Sequence, residues 1–218
     1  MPLANNVFTF LVFGATGGTG KHFVAQALKN GHKVRALVRS PEKLENLSTT
    51  SLELRIGSMT NYEDIDQLTE GVTHVVLMVG DKKAQQESKI NTAFIQRLVP
   101  SLRRNNVRRL LYQAGGLSRP YGESLTPVLW IIRNTIARGF DGQHCDNEAV
   151  MEYLATQASD IDWVVHRAGI GSDGPSKGVL QSSKANFSIA THMDCADFNY
   201  RTVLDPSMVH LACFSHYT

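Results

Sequence analysis

Glycines three residues apart, at Gly14, Gly17 and Gly20, separate a dense apolar run from an amphipathic stretch, and nothing else in the 218-residue chain narrows its fold as much. The run Val7–Phe13 has the unbroken apolarity of a strand buried on both faces. The stretch that follows, through Asn30, puts Phe23, Val24, Ala27 and Leu28 on one helical face, and Gly31 stands where a helix C-terminal glycine belongs. Within Gly14-Ala15-Thr16-Gly17-Gly18-Thr19-Gly20 the first glycine permits a tight turn. The second lets the backbone approach an anion, and the third lets the helix pack on the strand. Amide groups from Gly17 to Gly20 then face a negative charge, helped by the helix dipole.

The pattern of strand and helix repeats. Lys33–Val38, Leu52–Ile56, His74–Val79, Arg109–Gln113 and Asp162–Arg167 read as strands, with a further one near Phe187–Ala190. Helices are expected over Tyr62–Thr69, over Gln85–Asn105 with a kink or break at Pro100, and over Glu123–Gln157 in two pieces interrupted by Gly139 and Gly142. Another runs from Asp194 to about Leu204. Gly169–Ser183 carries no readable motif and is expected to form a mobile lid. The alternation predicts an α/β single-domain Rossmann fold, a doubly wound and mainly parallel sheet with helices on both faces. Ligands of such sheets bind at the carboxyl ends of the strands, where the winding reverses.

Charge narrows the partners. With 22 basic and 20 acidic residues the net charge is +2, which gives no electrostatic reason to expect nucleic acid or a membrane as partner. The cluster Arg103, Arg104, Arg108 and Arg109 reads as a solvated helix end running into a strand. Cys145, Cys195 and Cys213 match no metal or redox spacing, so no metal site is expected and a reducing compartment is implied. Cys145, beside His144, is the candidate reactive thiol. Met1–Phe13 lacks the flanks of a secretory signal, and its apolar run stops well short of the roughly 20 residues that span a bilayer, so a cytoplasmic protein is expected. Trp130, Trp163 and the methionines read as core.

Besides the glycines, several segments share one pattern: Leu37-Val38-Arg39-Ser40-Pro41-Glu42-Lys43, Ile56-Gly57-Ser58-Met59, Val79-Gly80, Glu148 to Gly169, and Met193-Asp194-Cys195-Ala196-Asp197-Phe198. From about Phe8 to Phe198 the chain resembles the atypical and extended short-chain dehydrogenase/reductase superfamily. Within it the resemblance is to the small NAD(P)H-binding, NmrA-like group that includes flavin and biliverdin reductases. It implies a dinucleotide on Gly14, Thr16, Gly17, Gly18, Thr19 and Gly20, bordered by Ser58, Met59, Val79 and Gly80, with Gln113 and Arg167 near the nicotinamide. Residues 8–113 would form the cofactor half of one domain over 1–218, and residues 114–218 the substrate-pocket half. Ser58 and Ala168 depart from the family's usual Asp and Pro. At the end of the second strand, where an NAD-preferring site carries an acid, this chain has Arg39, with Lys43 a helical turn further on. A guanidinium there can hold a 2′-phosphate, so NADP(H) is expected over NAD(H).

The Tyr-x-x-x-Lys pair of typical short-chain dehydrogenases is absent. So is the serine usual after the fifth strand, where the chain reads Tyr112-Gln113-Ala114-Gly115-Gly116. The remaining candidates for catalysis are Ser118, Tyr121 and His144, whose near-neutral ordinary pKa suits proton transfer. Three readings fit: a reductase passing hydride to a quinone, flavin or enone; a non-redox isomerase, cyclase or dehydratase; and a cofactor-sensing regulator. A small-molecule substrate is expected, and a homodimer is left open.

Overall fold

The computed structural model describes residues 7–47 and 49–218. Six strands, β1 (Thr9–Phe13), β2 (Lys33–Val38), β3 (Leu52–Ile56), β4 (His74–Leu77), β5 (Arg109–Gly115) and β6 (Asp162–Ser172), lie in the order β3-β2-β1-β4-β5-β6 and all pair in parallel. The chain winds outward from β1 to β3, then returns to place β4 on the other side of β1. That reversal opens a crevice at the carboxyl ends of β1 and β4. Three further strands extend the sheet: β7 (Leu180–Ser183) runs antiparallel to β9 (Leu211–Tyr217), which pairs with β6, and β8 (Ile189–Thr191) pairs with the far end of β6.

Alternation along β1 explains its unbroken apolarity. Phe10 and Val12 pack with Phe23, Val24 and Ala27 of helix α1 (Gly18–Lys29) and Ala196 and Val203 of α7 (His192–Leu204). Leu11 and Phe13 pack on the opposite face, with Phe94 and Leu98 of α4 (Ile90–Arg104) and Val150 and Leu154 of α6 (Asp141–Gln157). Each face of the sheet is therefore a separate core layer. The remaining helices are short: α2 (Ile65–Thr69), α3 (Lys82–Glu87) and α5 (Pro127–Asn134).

Several expectations are corrected. The stretch Gln85–Asn105 breaks at Ser88, which is extended, while Pro100 stays inside α4. The break lies there because Asp146 of α6, wholly buried, accepts hydrogen bonds from the Asn91 and Thr92 amides (3.0 and 2.9 Å) and starts a new helix. Gly142 does not interrupt α6. A Cβ on it would stand 2.5 Å from the Gln85 carbonyl oxygen, so the glycine lets α6 and α3 touch. The segment Gly169–Ser183 is tied down at both ends by β6 and β7, and in the middle by Asp194, which accepts from Ser176 and from the Lys177 amide (2.9 Å). Arg109 is buried, not solvated; its guanidinium donates to the carbonyls of Asp162, Thr202, Val203, Asp205 and Met208. Trp130 is 59% exposed, although Trp163 is core as expected. Among the described residues no helix is long and apolar enough to cross a membrane.

Candidate functional site

The turn after β1 is built by steric necessity. Gly14 has φ of +81°, and a Cβ on Gly20 would lie 2.0 Å from the Gly14 carbonyl oxygen. The Gly17 amide closes the turn on the Gly14 carbonyl (3.0 Å), so it is not offered outward as expected. The amides of Gly18, Thr19 and Gly20 form the first turn of α1, and among the described residues they have no backbone or capping partner. No acid stands in that turn, so the positive end of the helix is uncompensated. Thr19 turns its hydroxyl to His192 Nδ1 (3.1 Å), and the His192 ring covers Gly18.

From this turn a cleft of about 380 Å³ runs over the carboxyl ends of the strands, lined among others by Thr16, Arg39, Ser58, Met59, Val79 and Gly80. Arg39 is exposed on its wall, and among the described residues no carboxylate forms an ion pair with it. The crevice and the free helix amides together fit the diphosphate of a dinucleotide, with the Arg39 guanidinium on the wall.

Met78, Val79 and Gly80 also line a second cavity, of about 460 Å³, between β5, β6 and the segment carrying α5. Its walls are mostly apolar, with Ile132, Phe140, Ile170, Phe187 and Ile189. Its polar groups come from Gln85, Gln113, Gln143, His144 and Asn147. His144 is the only histidine among these lining residues, and burial, then the neighbouring Arg133, holds its pKa below the ordinary value. It is therefore neutral near pH 7.

A chain of buried hydrogen bonds ends on this imidazole. Asn91 donates to the Val79 carbonyl (3.0 Å) and to the Tyr112 hydroxyl (3.1 Å), and Tyr112 donates to Asn147 Oδ1. Asn147 Nδ2 donates to Ser118 Oγ (3.1 Å), which stands 3.5 Å from His144 Nδ1. Ser118 accepts from Asn147 and has its own hydrogen to give to Nδ1; in that arrangement the imidazole proton sits on Nε2. That Nε2 is buried and makes no hydrogen bond of good geometry among the described residues.

A family model described as NAD(P)H-binding matches residues 14–206. The chain belongs to the NAD(P)H-binding family. Its match takes in the glycine turn, the cleft and the cavity. A stretch of 84 residues is 33% identical to the photosystem II assembly factor Ycf39 of Trieres chinensis, covering 38% of this chain and 25% of that protein. Solved structures share the fold along nearly the whole chain. The oxidoreductase ylbE of Lactococcus lactis has a TM-score of 0.75 at 12% identity (97% of this chain, 91% of that one). ChuY of Escherichia coli O157:H7, an anaerobillin reductase, has 0.74 at 14% identity (95% and 96%).

Not every expected residue of this NAD(P)H-binding domain reaches the site. Lys43 is exposed on a 3₁₀ turn, Pro41–Leu47, and does not line the cleft; the tighter turn carries it off the line expected for an α-helix. Arg167 is buried, donates to the Ser118 (2.9 Å) and Gly116 carbonyls and stacks on Phe214. It holds the loop after β5 from behind and does not line the cavity. Tyr121 is exposed and lies in surface recesses with Pro120 and Glu123, outside the cavity. Ser118 is wholly buried and reaches the cavity only through His144 and Asn147. Cys145 is exposed and outside both spaces. Gln113 does line the cavity, held by Asn199 of α7 (2.6 Å).

Sequence reasoning did not single out Asn91, Tyr112, Asn147 or Asp146. The one signal available was spacing: His144 and Asn147 stand three apart, one helical face, ahead of Glu148. Glu148 itself pairs with Arg133 and Arg119, fastening α5 and the loop after β5 to α6.

Proposed function

We propose that the protein is an NADPH-dependent reductase that passes hydride to a small organic acceptor, a quinone, flavin or enone, without a tyrosine–lysine pair. One observation carries the reading: the cleft fit for the dinucleotide and the apolar cavity share Met78, Val79 and Gly80, so a ligand in one abuts a ligand in the other. A bound nicotinamide supplies the hydride. The chain supplies orientation and a largely apolar enclosure, and His144 Nε2–H is a donor for an acceptor oxygen that gains charge. Of the cavity's polar side chains, Gln85, Gln143 and Asn147 already spend an amide N–H on protein partners, which makes the unpartnered His144 nitrogen the donor we favour.

Arg39 supports the choice of NADPH, as a cation on the cleft wall with no ion-pair partner among the described residues. The oxidoreductase and reductase names carried by structural neighbours are in keeping with a redox role. The test is loss of NADPH absorbance with purified protein and a panel of soluble quinones, flavins and enones. Turnover on at least one acceptor class is expected. Tight NADPH binding with no turnover on any would overturn the reductase in favour of a non-redox enzyme or a sensor.

A further inference from the structure

We propose that the segment 127–140 docks the protein on an anionic lipid surface and that the acceptor enters the cavity from that surface. The observation is an exposed apolar face on a short helix and the turn after it. In Pro127-Val128-Leu129-Trp130-Ile131-Ile132-Arg133-Asn134-Thr135-Ile136-Ala137-Arg138-Gly139-Phe140, Trp130 is 59% exposed, Ile131 54% and Ile136 87%, with Val128 and Phe140 exposed beside them. Only Leu129 of α5 is buried. Residues of this size and apolarity at such exposure, gathered in one segment, mark a contact surface and not ordinary scatter.

Charge selects the occupant. The segment holds no carboxylate. Arg133 is already paired with Glu148, while Arg138 is exposed, and Lys82, also exposed, lies over the Phe140 ring (4.3 Å). Asp141, the next carboxyl along the chain, is half-buried. Aromatic and aliphatic side chains fringed by free cations are the composition of a helix lying in a lipid interface. A second copy meeting the same face across a two-fold axis would bring a second set of the same cations into the contact, with no acid within the segment to offset them.

Continuity with the cavity gives the surface a purpose. Ile132, Ala137 and Phe140 of this same segment line the cavity, and Ile170 and Ile189, also exposed, line it from β6 and β8. The exposed face and the cavity are therefore joined by shared apolar residues. That connection suits an uncharged acceptor dissolved in lipid, such as a long-tailed quinone. This last step rests on the reductase reading; docking does not.

The test is sedimentation of the full chain with mixed phosphatidylglycerol–phosphatidylcholine vesicles, against pure phosphatidylcholine. Binding to the anionic vesicles, weakened by salt, is expected, with a blue shift of emission from Trp130, since the other tryptophan is already buried. Ile136→Asp should weaken vesicle binding at least about tenfold while leaving NADPH binding intact, because Ile136 lines neither space. Trp130→Ser, a milder change on the same face, should act in the same direction. Absence of vesicle binding, or equal binding by both variants, overturns the proposal. So does a dimer that Ile136→Asp converts to a monomer without any vesicle binding. Vesicle binding without NADPH turnover sinks only the reductase reading, and turnover on soluble quinones without vesicle binding sinks only the docking.

Discussion

Arg39 and His144 stand at opposite ends of the site and make different demands on a substitution. Arg39 is exposed, so Arg39→Ala should leave the fold alone. We expect it to weaken NADPH binding at least about tenfold and NADH binding hardly at all, as read by titration of the two cofactors. Equal losses for both would remove the 2′-phosphate contact. His144→Leu should lower kcat about a hundredfold while the Kd for NADPH stays put, since the imidazole touches the cavity and not the cleft. An unchanged kcat would mean that Nε2 serves packing alone. The place of Arg39 on the cleft wall was legible because it depends on distance along the chain from the glycine turn. Arg167 and Tyr121 were not, because a side chain's direction off a strand end or a loop is set by what packs behind it. In Arg167 that is Phe214, nearly fifty residues away and on a strand the sequence did not reveal.

Among the elements, the clearest misreading was Arg109. Four arginines in seven residues look like a solvated patch, yet this one threads between β6 and the end of α7 and satisfies carbonyls that neither element can satisfy alone. Arg109→Leu should therefore cost about 3 kcal/mol of stability in urea unfolding, because buried carbonyls lose a charged donor together. A loss below about 1 kcal/mol would show that the carbonyls find other partners. The strands β1, β2 and β3 were readable to within two residues, β1 because a strand buried on both faces is apolar throughout, β2 and β3 because β-type apolar residues stand between turn signals. Strand β9, Leu-Ala-Cys-Phe-Ser-His-Tyr, escaped notice because polar side chains there meet buried partners: Ser215 bonds His166 (2.8 Å) and the Tyr217 hydroxyl bonds Asp194. The break before α4 was invisible for the same reason, its cap being Asp146 from another helix.

Across the molecule, buried imidazoles tie stability to pH. His166, at the centre of β6 and wholly buried, bridges Asn199 of α7 (2.7 Å) and Ser215 of β9. Burial pushes its pKa down to about 4, and burial with the nearby Arg109 does the same to His74. The unfolded chain binds these protons near pH 6.5 and the folded chain only near 4. Stability is therefore complete above about pH 6.5 and falls as pH drops from there toward 4. A urea midpoint that declines through this window is expected, and a flat one would contradict the burial. Local chemistry along the chain was enough to specify the parallel sheet, the phosphate turn and the dinucleotide, because each rests on neighbours in sequence. Packing alone settled the hydrogen-bonded surroundings of His144, the anchoring of Gly169–Ser183 and the outward face of α5. Those depend on partners tens of residues away, and no short-range pattern records which partner a folded chain will bring.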